Sequence, residues 1–180
     1  MERLRLGLSF VSVCTAVFAL PHEFSLWYAA LLTIKEFTCI MTTKPSLKLT
    51  HEGALKALNA AIAKAQEIGV PQNITIVDDG GNLLAFVRMD GAKFLSIETS
   101  KSKALSAASH RMATGGIPAA MEMKLAIASG GRLTNAEGGL PIFIEGVCVG
   151  AIGVGSGTSA QDVEVAKAAL EAIGAQEKGA

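Results

Sequence analysis

Two turn signals, each flanked by short runs suited to β-strands, constrain this chain more than any other feature. In the first, Asp78-Asp79-Gly80-Gly81-Asn82 separates the strand-like run 73–77, with Ile74, Thr75, Ile76 and Val77, from an apolar run over 83–89. In the second, Gly146 divides 141–145 from 147–154. Asp, Asn and Gly accept the left-handed backbone of a tight turn, so both signals predict β-hairpins. Helical patterns precede, separate and follow them. The order helix, hairpin, helices, hairpin, helix predicts an antiparallel sheet covered by helices, an α+β arrangement. It argues against a Rossmann-type series of parallel strands and crossover helices.

The helices are bounded by recognisable signals. Thr50 suits the cap of a helix through residue 68, with Leu55, Leu58, Ile62 and Ala65 at helical spacing, and Gly69 and Pro71 close it. A second helix is expected over 95–113. Its small residues Ala104, Ala107 and Ala108 allow close approach to a sheet or another subunit. Gly115-Gly116 interrupts the chain, and Pro118 suits the first turn of a short helix to residue 128. Ser159 with Asp162 reads as the capping pair of a last helix ending near residue 173.

Bulk properties exclude several classes. Lys+Arg and Asp+Glu are equal at 16 each, which offers no electrostatic attraction for nucleic acid or an anionic membrane. Cys14, Cys39 and Cys148 have no metal-site spacing, and a reducing, cytoplasmic setting is the simpler expectation. Residues 1–40 read differently from the rest. Arg3 and Arg5 precede an apolar run over 6–20, Pro21 breaks it, and a second run follows over 26–34. This pattern is signal-like, with secretion or anchoring as its consequence, but Met41-Thr42-Thr43-Lys44 also looks like an ordinary N-terminus. The expectation is a dispensable extension, 1–40, ahead of a single domain over 41–180. Neither apolar run reaches the roughly 20 residues a membrane span requires.

Several residues have chemistry suited to a site. Gly138 and Gly139, after Glu137, could aim backbone amides at a carboxylate or phosphate, or could simply form a tight loop before a strand. The run 153–157 lacks the spacing of a dinucleotide fingerprint. Arg88 at a strand end could fork onto a ligand carboxylate, or pair with Asp90. Lys101 and Lys103 border the alanine run of the second helix, where a buried lysine could bind an anion or act as a base. The His110 imidazole suits iron ligation or proton transfer. Beside Arg111 near a helix end it also complements the helix dipole, and that reading is the stronger. Met121 and Met123 read as packing or interface residues, although a methionine thioether can also ligate iron. No His and carboxylate set has metal spacing, and no GxSxG or Cys-His nucleophile pattern is present.

Three blocks, in order, resemble a known family. They are Ile76-Val77-Asp78-Asp79-Gly80-Gly81 with Phe86-Val87-Arg88-Met89-Asp90-Gly91-Ala92; the segment 101–114; and Glu137-Gly138-Gly139-Leu140-Pro141-Ile142 with Gly146, Gly150-Ala151-Ile152-Gly153-Val154 and Gln161-Asp162. The domain resembles the GlcG/HbpS-like, or haem-degrading, family, which also forms the C-terminal part of PduO-type proteins. The resemblance implies a profilin-like α/β/α sandwich, association into dimers or octamers, and haem or corrinoid binding in some members. It also brings Lys103 and Thr114 forward, the latter at a threonine implicated in haem binding. The chain departs from the family pattern at Ala113, where a proline is usual, and at Ser106, where a threonine is usual.

Three functions compete on this reading. The first, slightly ahead, is a small-ligand-binding domain that binds or degrades haem or a related tetrapyrrole, with His110 and Thr114 at the cofactor. The second is a cofactor-independent isomerase, lyase or hydratase acting on a small carboxylate or carbonyl metabolite. There Arg88 and the Gly138 and Gly139 amides would hold the oxyanion, and Lys103 or Glu137 would move a proton. The third is a structural or regulatory homo-oligomer.

Overall fold

A computed structural model describes residues 42–179, of which those from Leu47 onward belong to one compact unit. The expected extension over 1–40 lies outside the described residues. Helix α1 spans His51–Glu67, strands β1 and β2 span Asn73–Asp78 and Leu83–Arg88, and helices α2 and α3 span Ser96–His110 and Ala119–Ala128. Strands β3 and β4 cover Gly139–Ile144 and Val147–Gly155, and helix α4 covers Ser159–Ala172. The strands form a four-stranded sheet in the order β2-β1-β4-β3, with every neighbouring pair antiparallel. The antiparallel, helix-covered α+β arrangement expected from the turn signals is the one observed.

Both hairpins close through local chemistry. The Asp78 carboxylate accepts from the Gly80 and Asn82 amides at 2.9 and 2.8 Å, which fixes the first turn. In the second, Glu145 and Gly146 both have left-handed φ, 50° and 75°, as a two-residue type I′ connection requires. The two central strands, β1 and β4, then pair with each other, joining hairpins that lie far apart in the chain. On the outer side of β3, Phe143 exchanges backbone hydrogen bonds with Gln176, so the C-terminal tail covers that edge.

Helices α1 and α4 cover one face of the sheet. Ala54, Ala57, Ala61 and Ala65 of α1 join Val165, Ala166 and Ala169 of α4 over Ile74, Ile76, Leu140, Ile142, Ile152 and Val154. Burying one such isoleucine contributes about 1.5–3 kcal/mol. Leu55, expected on the inner stripe, is instead 48 % exposed; the stripe runs through the alanines beside it.

Helix α2 covers the other face, where Ala104, Ala107 and Ala108 meet Val77 and Ala151. It approaches closely because the sheet beneath it is glycine. A Cβ at Gly153 would collide with the Ser100 carbonyl and lie 2.5 Å from the Ala104 nitrogen. Thr75 and Ser100 share a buried 2.9 Å hydroxyl hydrogen bond across the same contact.

Three boundaries differ from expectation, each for a local reason. Helix α2 stops at His110 rather than residue 113 because Arg111 turns left-handed, at φ 54°. Strand β3 begins at Gly139 rather than 141, and Pro141 is tolerated because β3 lies at the end of the strand order. The cap of α4 is Thr158 with Gln161, not Ser159 with Asp162. The Asp162 carboxylate is committed elsewhere.

Candidate functional site

The chain leaving α2 is pinned to the start of β3. Thr114 donates its amide to the Gly139 carbonyl at 2.9 Å, and its Oγ1 accepts the Gly139 amide at 2.9 Å. Gly115, at φ 108°, follows directly, and a Cβ there would lie 2.6 Å from Cγ of Glu137. The exposed Glu137 therefore lays its stem along Gly115, next to Thr114.

Beyond Pro118, helix α3 leaves none of its residues buried. Met121, Met123, Leu125 and Ile127 alternate along it, and alternate positions on a helix point to different sides. No single neighbour could cover them all. Two ties hold its ends in place. Asn135 brackets the Ile117 backbone with two 2.9 Å hydrogen bonds, and the Thr134 amide donates to Ser106 Oγ at 2.9 Å.

The space beside α3 is an apolar cleft of about 240 Å³, lined by His110, Met112, Thr114, Ile117, Met121 and Leu125 among others. His110 is exposed there, and no described residue forms an ion pair or side-chain hydrogen bond with its imidazole. The structure thus brings His110 and Thr114 into one cavity, with Glu137 alongside the latter.

The other expected site residues lie elsewhere. Lys103 is buried, its Nζ 2.7 Å from Asp162 Oδ2 and 2.8 Å from the Val154 carbonyl. The second Asp162 oxygen accepts the Gly157 amide at 3.0 Å. Both contacts hold Nζ inside the fold, and Lys103 does not line the cleft that contains His110 and Thr114. Gly138, at φ 112°, sits over the pair, and a Cβ there would lie 2.7 Å from Asp162 Cβ and 3.0 Å from Lys103 Nζ. The Gly139 amide, expected to face a ligand, is used by Thr114. Arg88 stands on β2 and Gly139 on β3, at opposite ends of the strand order. Three strand spacings separate them, roughly 14 Å. The oxyanion clamp of Arg88 with Gly138 and Gly139 is therefore not assembled within one chain. No ion pair joins Arg88 to Asp90 among the described residues.

Sequence reasoning missed Met112, Ile117 and Leu125 as cleft residues and Asp162 as the partner of Lys103. The apolar, unpatterned composition of α3 was the available signal for Leu125, whereas Met112 and Ile117 lie in the loop before that helix. Nothing local marks Asp162, which lies 59 residues from Lys103. Among the described residues no group of His, Cys, Asp and Glu could hold a metal ion, and no helix is long and apolar enough to cross a membrane.

Residues 49–171 match the family described as "Haem degrading protein HbpS-like". A relative from Citrobacter freundii, the 15.0 kDa protein of the dhaT-dhaS intergenic region, is 39 % identical over 129 residues, covering 68 % of this chain and 90 % of its own. The crystal structure of Klebsiella pneumoniae protein ORFY superimposes with a TM-score of 0.71 at 33 % identity, covering 76 % of this chain and 97 % of that one. The PduOC:heme complex superimposes at 0.69 with 26 % identity, covering 73 % and 99 %.

Proposed function

The chain belongs to the HbpS-like family of haem-degrading proteins, and from that premise we propose that its domain binds haem or a related tetrapyrrole in the cleft between α2 and α3. One observation carries the reading: an apolar cleft holds an imidazole, His110, with no partner among the described residues. Apolar walls suit the macrocycle, and imidazole nitrogen and the Met112 and Met121 thioethers suit its iron. At about 240 Å³ the cleft is smaller than the roughly 300–1,000 Å³ of pockets that enclose a ligand. A cleft of this size would take one edge of a tetrapyrrole, with the remainder outside it.

When bound, the iron would supply the redox and oxygen chemistry that degradation needs. The chain's own residues have other tasks. His110 offers a nitrogen from the last turn of α2, Thr114 fixes the cleft rim to β3, and Met121 and Leu125 exclude water. Gly138 packs over the Lys103–Asp162 pair and leads into Gly139, to which Thr114 is tied. A haem-bound structure in the same fold supports the assignment. The domain also associates with copies of itself through the exposed apolar side chains of α3. A cytoplasmic setting is part of the same proposal, drawn from three cysteines whose spacing suits neither a disulfide framework nor a metal site.

Hemin titration tests the assignment. A stoichiometric end-point with a sharp Soret band is expected, and His110→Ala should shift or abolish that band while leaving the far-UV spectrum unchanged. A gradual, unsaturable broadening with the wild-type protein would remove the assignment.

A further inference from the structure

Beside the apolar cleft lies a second cavity, of about 510 Å³, between the first hairpin turn, the side of α2 and the end of α3. Asp79, Gly81, Leu105, Ser109, Arg132 and Leu133 contribute to its walls. Ser106 lines both cavities, so they meet at one buried side chain. The division continues residue by residue. Ser109 faces this cavity and His110 the apolar one, while Arg132 and Leu133 face this one and Thr134 the other.

The charges in the second cavity are unequal in their commitments. Asp79 is paired with Lys48 at 2.7 Å. Arg132 is exposed, and no described residue pairs with its guanidinium. A free guanidinium in a concave wall is a forked receptor for a carboxylate. The apolar cleft offers no such group, and a carboxylate forced against its walls would lose hydration without gaining a partner.

We propose that Arg132 receives the carboxylate arms of the ligand whose ring edge occupies the His110 cleft. This rests on the haem-binding reading and assigns the second cavity to the anionic part of the same molecule. Leu105 and Leu133 flank the arms, and the guanidinium orients the ring by fixing which edge points out of the apolar cleft.

Hemin and its dimethyl ester, which lacks the ionised carboxylates, separate the two claims when titrated into wild-type and Arg132→Gln protein. Hemin should bind the wild type roughly ten- to a hundredfold more tightly than the ester does, as expected for a charge-assisted contact. Arg132→Gln should remove most of that difference while leaving ester affinity and the far-UV spectrum unchanged. Equal affinity of wild type and variant for hemin would overturn the inference, and so would an equal loss for both ligands. If neither compound bound the wild type, the haem-binding reading itself would fall and this inference with it. Binding of hemin that is indifferent to Arg132 would remove only the inference.

Discussion

At the scale of single residues, the buried pair of Lys103 and Asp162 is the point where the two halves of the chain depend on each other. Side-chain exposure is 7 % and 3 %, so neither charge can fall back on water if its partner is lost. Asp162→Asn should therefore destabilise the fold by about 3–5 kcal/mol, read by urea unfolding. Combining Lys103→Met with Asp162→Leu should cost clearly less, because the double change removes both charges together. A single-variant cost near zero would show that the pair contributes nothing. Asp78 makes a different prediction, because its environment pulls both ways. Partial burial works to raise its carboxyl, but hydrogen bonds from the Asn82 side chain and from the Asn82 and Gly80 amides, with Lys48 nearby, outweigh it and hold it below 3.8. A carboxyl depressed by folding adds stability that is complete above its unfolded value and fades as pH falls through the folded one. The stability gap between wild type and Asp78→Asn should thus be constant near neutrality and shrink only below about pH 3.8. A gap that narrows between pH 7 and 5 would contradict this account.

Between elements, the decisive contact is α2 against the glycine-bearing strands. Gly139 and Gly153 are register partners, and both face the α2 backbone. Gly153→Ala has no room to relax, since the obstacles are main-chain atoms of Ser100 and Ala104. We expect a loss of about 1–3 kcal/mol, measured as a lower denaturation midpoint. Gly146→Asn, at a turn with open space and a φ that asparagine tolerates, should stay within about 0.5 kcal/mol. Both hairpins and the small face of α2 were legible in the sequence because they depend on neighbours a few residues away. The expected ligand role of the Gly139 amide shows the limit of that reading. A glycine before a strand looks the same in sequence whether its amide meets a ligand or Thr114, 25 residues earlier.

For the whole molecule, helix α3 is the part least explained by one chain. Met123 and Ile127 are 69 % and 72 % exposed, with Met112 at 61 % nearby in sequence. Exposed apolar surface of this kind marks interaction sites, and the proposed self-association rests on it. Ile127→Lys with Met123→Lys should reduce the mass seen by size exclusion with light scattering, with helical content unchanged. A wild-type protein that is monomeric at high micromolar concentration would sink this reading. The apolar cleft beside α3 belongs to this scale as well. It exists because α3 stands beside α2 instead of burying a face, and because residues 129–134 return to tie Thr134 onto Ser106.

What the amino-acid order determined unaided was the set of strands, turns and caps, since Asp78, Glu145-Gly146 and Thr50 act through hydrogen bonds and φ angles within a few residues. The small residues of α2 also announced a close approach, to a sheet or to another subunit. Tertiary structure alone decided which distant groups became neighbours. The order β2-β1-β4-β3 sets the second hairpin against the first and carries Asp162 to Lys103. The same order leaves Arg88 at the far edge from Gly139, while His110 and Thr114 share a cleft. Such adjacency follows from burying a continuous apolar face, a property of the assembled sheet that no short stretch of chain possesses.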